Sequence, residues 1–592
     1  IWTRTTPSFL GKASVIFTPI KSLEFEASYA REQWYPYSKR FQRNYDVYAP
    51  NIAARTYDFV AKYPGTNSLS ESYSTNVRTT MLGQGTYSFK NADHDAKLLG
   101  GFQVEELTLS RIGASRTDFV NEELPYISLG GGNRDNSGGA SEFALAGFYT
   151  RLNYAFRDKY LLEVNGRYDA SSRFSQELDR QWGFFPSASA GWVFSNEKFF
   201  TSLGNVIQFG KIRASYGTLG NQEVVNALNE PEYYPFAATY ASGTDYYFNN
   251  TINQGFALTE AVNAGTTWEK STQKNIGLDL TLFQGLSITA DYYVRQISNL
   301  LMRRPIPTYI GLSPALLNLG KMENRGWEFS ATYRNRLGKL KYDVTGLIAD
   351  VKNEVTDLPG VPYLDEGLQR SAVGYPLRSY FGYQAIGYFQ SKEDIAATPT
   401  HFFTPNPGDI KYADLNGDGK VNADDRTFIG NNFPRYEYSV NMNLAYGILD
   451  LNLFGQGVGQ KSNYISGTGA YPFFAGDFIP SLLEIHKDYW TPENPNATFP
   501  RLTPAIGVNA TNSSFWVKNS AYFRLKNVNL GVRIPDTFVR KLGIASARFY
   551  VSGQNLFTIT QFWKGFDPEI NNNNAQFYPL MKTYTAGLNV RF

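Results

Sequence analysis

The residues whose spacing most clearly suggests chemistry are Asp414-Leu-Asn416-Gly-Asp418-Gly419-Lys420-Val-Asn422-Ala-Asp424-Asp425. Side-chain oxygens stand at loop positions one, three, five, nine and twelve. Gly419 takes the sixth position, where the chain must turn sharply, and Lys420 at the seventh offers its carbonyl. This is the ligand spacing of an EF-hand loop, which suits a hard cation such as Ca2+. Asp425 stands where a long Glu usually caps the ion, and its shorter reach makes Mg2+ a competitor. The candidate ligands are therefore Asp414, Asn416, Asp418, Lys420, Asn422 and Asp425, with a structural ion pinning a long loop. A catalytic ion would need an open coordination position and a nearby base, and neither is readable. An Asn/Asp/Gly-rich turn without an ion has the same composition and is the alternative.

Two stretches concentrate aromatic side chains: Glu232-Tyr-Tyr-Pro-Phe236 with Tyr246-Tyr-Phe248, and Tyr471-Pro-Phe-Phe474. Tyr233, Tyr234, Phe236, Tyr246, Tyr247, Tyr471 and Phe473 could stack on sugar rings or dock a protein. The same residues could instead pack loop against loop. His94, His401 and His486 are the three histidines, and no nucleophile motif accompanies any of them, so they are expected to be surface polar residues and the chain no enzyme. Absence of cysteine excludes disulfides, zinc–thiolate sites and thiol catalysis. A net charge of +3 spread along the chain gives no nucleic-acid surface.

The elements that must position these residues are strands. The final stretch places Tyr584, Ala586, Leu588, Val590 and Phe592 on one face and Thr585, Asn589 and Arg591 on the other. In Tyr160–Ser171, Tyr160, Leu162, Val164, Tyr168 and Ala170 oppose Glu163, Asn165, Arg167 and Asp169. Leu286–Gln296 and Tyr436–Tyr446 alternate in the same way. A period of two excludes helices for these stretches. Tyr and Phe number 41 and 43 among 592 residues, yet mean hydropathy is −0.35. No apolar run approaches the ~20 residues of a membrane helix. An aromatic-rich membrane chain without helices leaves an all-β, transmembrane antiparallel up-and-down β-barrel, because lipid tolerates no open sheet edge.

The connections alternate in length. Short turns at 18–22, 90–93, 156–159, 283–286, 334–338 and 447–449 are separated by long polar loops at roughly 35–73, 112–142, 220–267, 303–321, 354–434 and 461–520. Outer-membrane barrels have short periplasmic turns and long extracellular loops. Counting back from a last strand that descends to the periplasm puts every long loop outside, the 414–425 loop with them. The pattern gives about seventeen strands. The chain starts at Ile1-Trp-Thr-Arg with no Met and no leader, and it is expected to be a fragment that lacks an amino-terminal part.

Six stretches together resemble the SusC/RagA-type TonB-linked outer-membrane transporters. They are Gly210–Gln222 (GKIRASYGTLGNQ), Trp268–Asp279 (WEKSTQKNIGLD), Gly320–Glu328 (GKMENRGWE), Gly408–Gly419 (GDIKYADLNGDG), Ser552–Phe557 (SGQNLF) and Gly587–Phe592 (GLNVRF). The resemblance covers most of the chain from about residue 80. It implies a 22-stranded barrel with an amino-terminal plug, in the outer membrane of a Bacteroidota-like Gram-negative cell, among lipid and LPS. It also implies import of a bulky nutrient (oligosaccharide or peptide), driven through TonB contact in the missing amino-terminal region, and a SusD-type lipoprotein lid. A passive porin, a scaffold barrel of an adhesion or secretion assembly, and an outer-membrane hydrolase are the alternatives.

Overall fold

The computed structural model describes residues 2–592 except 52, 226–229, 249, 284, 474–481, 504–505, 571–573 and 575–576. Two compact units divide the chain. The first comprises Ile1–Ser189, Gly217–Lys270 and Ile306–Asn318; the second comprises Ala190–Tyr216, Ser271–Pro305 and Leu319–Phe592. Among the described residues no helix is long and apolar enough to cross a membrane, and the architecture is antiparallel β.

In the first unit, strands Ser8–Ile20, Leu23–Trp34, Ser68–Lys90, His94–Thr117, Arg134–Phe156 and Tyr160–Ser171 pair in succession. Proline interrupts two of these passes. Pro7 and Pro36 lack the N–H a ladder needs, so short strands Trp2–Thr5 and Tyr37–Gln42 follow or precede the breaks. The carbonyls at the breaks still accept, Pro7 from the Tyr35 N–H and Pro36 from the Ser74 N–H, each at 2.9 Å. Nineteen strands counted over the described residues of both units thus make seventeen passes, as the sequence pattern requires.

In the second unit, Leu316–Leu337, Leu340–Asp357, Arg435–Tyr446, Leu449–Gln460, Tyr522–Ile534, Ser546–Thr560 and Thr583–Arg591 pair in succession. Their register carries the alternation across the sheet. Tyr342, Leu444, Leu451, Leu530, Val551 and Ala586 stand opposite one another in one row. Asp343, Asn443, Asn452, Asn529, Ser552 and Thr585 form the next row, on the other face. The polar row is knitted by side chains: Asn452 Nδ2 donates to Asn443 Oδ1 at 2.7 Å, and Asn527 Nδ2 donates to Asn452 Oδ1 at 2.9 Å. The apolar face is the more open one: Leu530 is 48% exposed, and Leu588, on the same face as Ala586, is 59% exposed. An apolar face turned outward is what a lipid-facing wall requires.

Two sequence expectations are corrected. Connections at 172–181, 193–206 and 535–545 escape the turn pattern, and the last two contain short helical turns such as Phe194–Asn196 and Asp536–Val539. Their Phe and Val residues read as strand composition. Loops 112–142 and 303–321 are also shorter than expected, because strands run on to Thr117 and begin at Arg134 and Leu316. Ladder pairing there needs no apolar face, so Ser, Asn and Gly hide it.

The two rows give opposite expectations for substitution. Leu530→Arg should cost about 2–4 kcal/mol of unfolding free energy in lipid vesicles. Ser552→Ala, on the polar face, should stay within about 0.5 kcal/mol. Urea-induced unfolding followed by gel mobility distinguishes them, and equal effects would mean that the face assignment is reversed or absent.

Candidate functional site: the outer loop assembly

The long connections of the second unit pack around a core of their own. Tyr380, Tyr412, Tyr464, Ile410, Ile465, Tyr471, Trp490, Phe499, Trp516 and Phe562 are buried together, with Phe515 and Trp563 at the margin. At its centre lies Asp409, fully buried. Its carboxylate accepts from Arg501 Nε at 2.6 Å, Asn509 Nδ2 at 3.0 Å and the Asn406 N–H at 2.8 Å. Asn509 in turn accepts from the Ile410 N–H through Oδ1 and from Trp516 Nε1 through its carbonyl. A buried charge so paired locks segments far apart in sequence, and removal of one partner would strand the other. Gly408 has φ +88°, and a Cβ there would meet the Trp490 ring at 2.3 Å, so only glycine fits.

Sequence reasoning placed His401 and His486 at the surface; both are buried. His401 Nδ1 donates to the Pro399 carbonyl at 2.8 Å while Nε2 accepts from the Tyr412 N–H at 3.3 Å. His486 uses the other tautomer: Nε2 donates to the Ala470 carbonyl at 3.2 Å and Nδ1 accepts from the Leu483 N–H at 3.1 Å. Each ring faces one backbone N–H, so the neutral imidazole fits and the cation does not. Burial lowers both pKa values, against backbone bonds that raise them. Neither histidine has a nucleophile beside it; both hold the core together. His94 lies at an inner turn, its Nδ1 2.7 Å from the Tyr154 hydroxyl. Lys518 has its ammonium 4.6 Å from the Phe515 ring and 4.7 Å from Trp563, and burial lowers its pKa to about 8.

The candidate cation loop sits on the edge of this core. Thr400–His401 pairs in parallel with Lys420–Val421 and anchors it. Asp414 accepts from the N–H groups of Gly417 and Gly419 at 2.7 and 2.8 Å. Asn416 accepts from the Asp418 N–H, Asp418 from Lys420, and Asn422 from Asp424. Asp425 is buried and accepts from Leu415, Asn416 and Asn422. Burial alone would raise the Asp425 carboxyl, but donation from Asn422, Leu415 and Asn416 outweighs it and holds the group below the usual carboxylate range. Among the described residues no three His, Cys, Asp or Glu side chains converge to hold a metal ion. The loop is folded by its own Asx turns.

The aromatic candidates separate into three groups. Tyr471 is buried against Trp516, ring centroids 4.7 Å apart, which corrects its assignment as a ligand-stacking face. Phe473 beside it is half-buried; Phe474 lies outside the described residues. In the first unit, Tyr233 lies 6.2 Å from the Phe143 ring, with the buried Arg173 guanidinium over both. Tyr234 accepts from the Glu142 N–H at 3.0 Å through its hydroxyl, and Phe236 is half-buried. Packing explains Tyr233 and Phe236, whereas Tyr234 keeps its ring exposed at 38%. Tyr246 and Tyr247 are exposed further, each at 65%, in the hairpin Tyr246–Phe248 with Thr251–Asn253.

The stretches that carry the family resemblance also acquire physical reasons. Arg213, from the first, bridges Asp279 of the second at 3.1 Å and Asp291 at 2.5 Å. Ser552–Phe557 makes a bulge, since Asn527 faces Gln554 while Leu525 faces Phe557. Arg524, buried at its end, pairs with Asp567 at 2.8 Å and with Glu569. A sequence profile described as "TonB dependent receptor-like, beta-barrel" matches residues 2–556.

The chain belongs to the TonB-dependent receptor β-barrel family.

Within it the chain is similar to TonB-dependent receptor P3 of Formosa agariphila, 32% identical over 559 residues that cover 89% of this chain and 52% of the relative. TonB-dependent receptor SusC of Bacteroides thetaiotaomicron is 26% identical over 571 residues, 90% of this chain and 52% of SusC. The chain therefore spans about half the length of the curated relatives it matches. The RagAB peptide importer in its open-open state superposes with a TM-score of 0.79 at 23% identity, over 100% of this chain and 62% of that one. SusC/RagA-type character, the β-barrel fold and an outer-membrane location follow.

The buried histidines should contribute to the acid sensitivity of the loop core. Their folded pKa values lie below the ordinary value near 6.5, so the unfolded chain takes up protons first as pH falls. Stability is fully present above about 6.5 and declines below it, by at most ~1.4 kcal/mol per pH unit for each histidine. Fluorescence of Trp490, Trp516 and Trp563 reports that core. His486→Gln should roughly halve the acid slope between pH 6.5 and 5; an unchanged slope would show that other groups set it.

Proposed function

We propose that this TonB-dependent receptor barrel forms the wall and outer loops of an active importer for a bulky nutrient, an oligosaccharide or a peptide. Energy would reach it through TonB, and a SusD-type lipoprotein would close over the outer loops. The observation that carries this reading is the family match along nearly the whole chain, combined with long outer loops that fold into a packed core rather than a bare pore rim. The exposed Tyr246–Phe248 hairpin supplies aromatic surface that a lid could cover. Chemistry in this reading is binding and gating, with no covalent step, and it is supported by relatives named as receptors and as a peptide importer.

Uptake of fluorescent peptide and oligosaccharide mixtures by intact cells tests it. Uptake of at least one mixture should be lost when TonB is deleted or the gene for this chain is removed. Uptake that persists without TonB but not without this chain would identify a passive channel. No dependence on this chain for either mixture would leave a scaffold role.

We also propose that loop 414–425 holds Ca2+, with Mg2+ as the competing ion. The sequence spacing supports it: the Asp414, Asn416, Asp418, Asn422 and Asp425 side chains and the Lys420 carbonyl stand at loop positions one, three, five, nine, twelve and seven. Because its Asx turns already shape the loop, the ion would add to a formed site. At ten times its Kd, Ca2+ should stabilise the loop core by about 1.4 kcal/mol over an EDTA-treated sample. Asp414→Ala should abolish that difference. Equal tryptophan melting curves with Ca2+, Mg2+ and EDTA would leave an ion-free turn.

A further inference from the structure

Strand Arg134–Phe156 in the first unit is paired along its full length on one side only. Strand His94–Thr117 accompanies it from Arg134 to Phe156. On the other side, strand Tyr160–Ser171 reaches no further than Leu145. Beyond that point the donors facing outward from the sheet are met one at a time by side chains. The Ala144 N–H donates to Ser172 Oγ at 2.9 Å, and the Glu142 N–H donates to the Tyr234 hydroxyl at 3.0 Å.

Successive residues of a strand point their peptide groups to opposite edges. The same edge is therefore served next by Ala140, Gly138 and Asn136. Among the described residues none of these three has a hydrogen-bond partner on that side, and residues 134–140 are all exposed. Such a row of open N–H and C=O groups is a template for another strand. Proteins usually block one with proline, a bulge or a covering segment. Here the segment is Asn136-Ser-Gly-Gly-Ala-Ser141, which carries no proline and no bulk, and a Cβ at Gly139 would meet nothing within 4 Å. Beside it a cavity of about 630 Å³ is lined by Ser74, Asn76, Arg111, Ser141 and Glu230.

We propose that this edge, Asn136 to Ala140, binds an extended peptide by strand addition. This narrows the nutrient class in the import reading to peptide and rests on that reading. The alternative cargo, an oligosaccharide, is recognised by stacking on exposed aromatic faces, and residues 134–142 contain no aromatic: of the rings near them Phe143 is buried, Tyr233 packs under Arg173, and Tyr234, 38% exposed, is tethered by its hydroxyl to the Glu142 N–H. A peptide backbone, by contrast, offers donors and acceptors at the repeat that the edge presents. Small side chains along the edge leave no pocket to select a residue type, so recognition is of backbone, not sequence.

The test uses the full-length protein in detergent and a synthetic decapeptide of alternating Ala and Ser. Two further versions of the peptide carry backbone N-methyl groups on alternate residues or on every residue. An added strand uses only one of its own two edges, so the alternately methylated version can present its free edge and should bind like the parent, while the fully methylated version should bind about tenfold more weakly for each bond lost. Hydrogen exchange at Asn136, Gly138 and Ala140 should slow on binding, while Ser137 and Gly139, paired to strand His94–Thr117, should not change. Ala140→Pro removes one edge donor without touching the inner ladder and should weaken binding about tenfold. Tyr234→Phe frees the Glu142 N–H and should not weaken binding.

Binding of the fully N-methylated peptide as tight as that of the parent, or no alternating protection, overturns the edge site. TonB-dependent peptide uptake without edge protection overturns this inference alone. Edge protection in a protein that imports nothing overturns the import reading and leaves the edge.

Discussion

An unpaired peptide group in hydrocarbon costs several kcal/mol, and nothing in lipid can meet it. That constraint governs the wall of this protein. Each pass must pair on both sides, so neighbours run antiparallel and connect by tight turns such as Ile20–Leu23 and Tyr446–Leu449. Pairing fixes register, and register fixes faces. A slip of one residue between Leu449–Gln460 and Tyr522–Ile534 would bring Asn529 into the row of Leu451 and Leu444. The polar ladder from Asn441 through Asn452 to Asn527 penalises such a slip, because its amides would then face lipid. Even the proline interruptions obey the rule: the carbonyls of Pro7 and Pro36 are bonded although their nitrogens cannot be.

The same constraint explains what could be read from sequence. Lipid on one face and water on the other impose a period of two on every pass that lies in the bilayer, so Tyr160–Ser171 and Thr583–Arg591 announce themselves. Above the bilayer the rule lapses. Strands Ser68–Lys90, His94–Thr117 and Arg134–Phe156 continue well past the ~10 residues a membrane strand needs, and their upper halves, rich in Ser, Gly and Asn, carry no apolar face to reveal them. The loop core was illegible for a different reason. Its contacts join Asp409 to Arg501 and Tyr388 to Ala497, separations at which no local pattern survives. Histidines at 401 and 486 look like solvent residues because their neighbours in sequence are polar or mixed; only the fold brings Phe389 and Phe499 against them.

The stretch Gly408–Gly419 shows how a local motif can be read correctly and incompletely. Its second half has the spacing of a cation loop. Its first half answers to packing: Gly408 clears Trp490, Asp409 gathers Arg501 and Asn509, Ile410 and Tyr412 fill the core, and Lys411 pairs with Asp394 at 2.7 Å. A single strand, Ile410–Tyr412, therefore belongs to both. Any strain in the loop is transmitted to the core through three residues, and the parallel pair Thr400–His401 with Lys420–Val421 fixes the loop's far side. An ion in that loop would act on a structure already held at both ends. Its contribution is then a binding term added to a formed site, unlike a zinc finger, where metal and fold appear together.

Rigid and open surfaces are distributed by the same accounting of peptide groups. In the second unit the long connections meet their donors among themselves, in small sheets such as Tyr363–Glu366 with Gln369–Ala372, and in a core shut to solvent. In the first unit the short strands Tyr45–Asn51 with Thr56–Tyr63, and Tyr246–Phe248 with Thr251–Asn253, pair within their hairpins among the described residues, and Tyr45, Tyr57, Tyr246 and Tyr247 are exposed. Water meets the remaining edges there, at small cost, and an exposed peptide group remains available to any strand that offers better geometry than water. Binding through such edges displaces water that the folded chain has had to keep ordered, with no reorganisation of the wall beneath. Hydrogen bonds of this kind are each modest and each replaced by solvent when they open, so an edge built from them exchanges partners more readily than a deep apolar cleft.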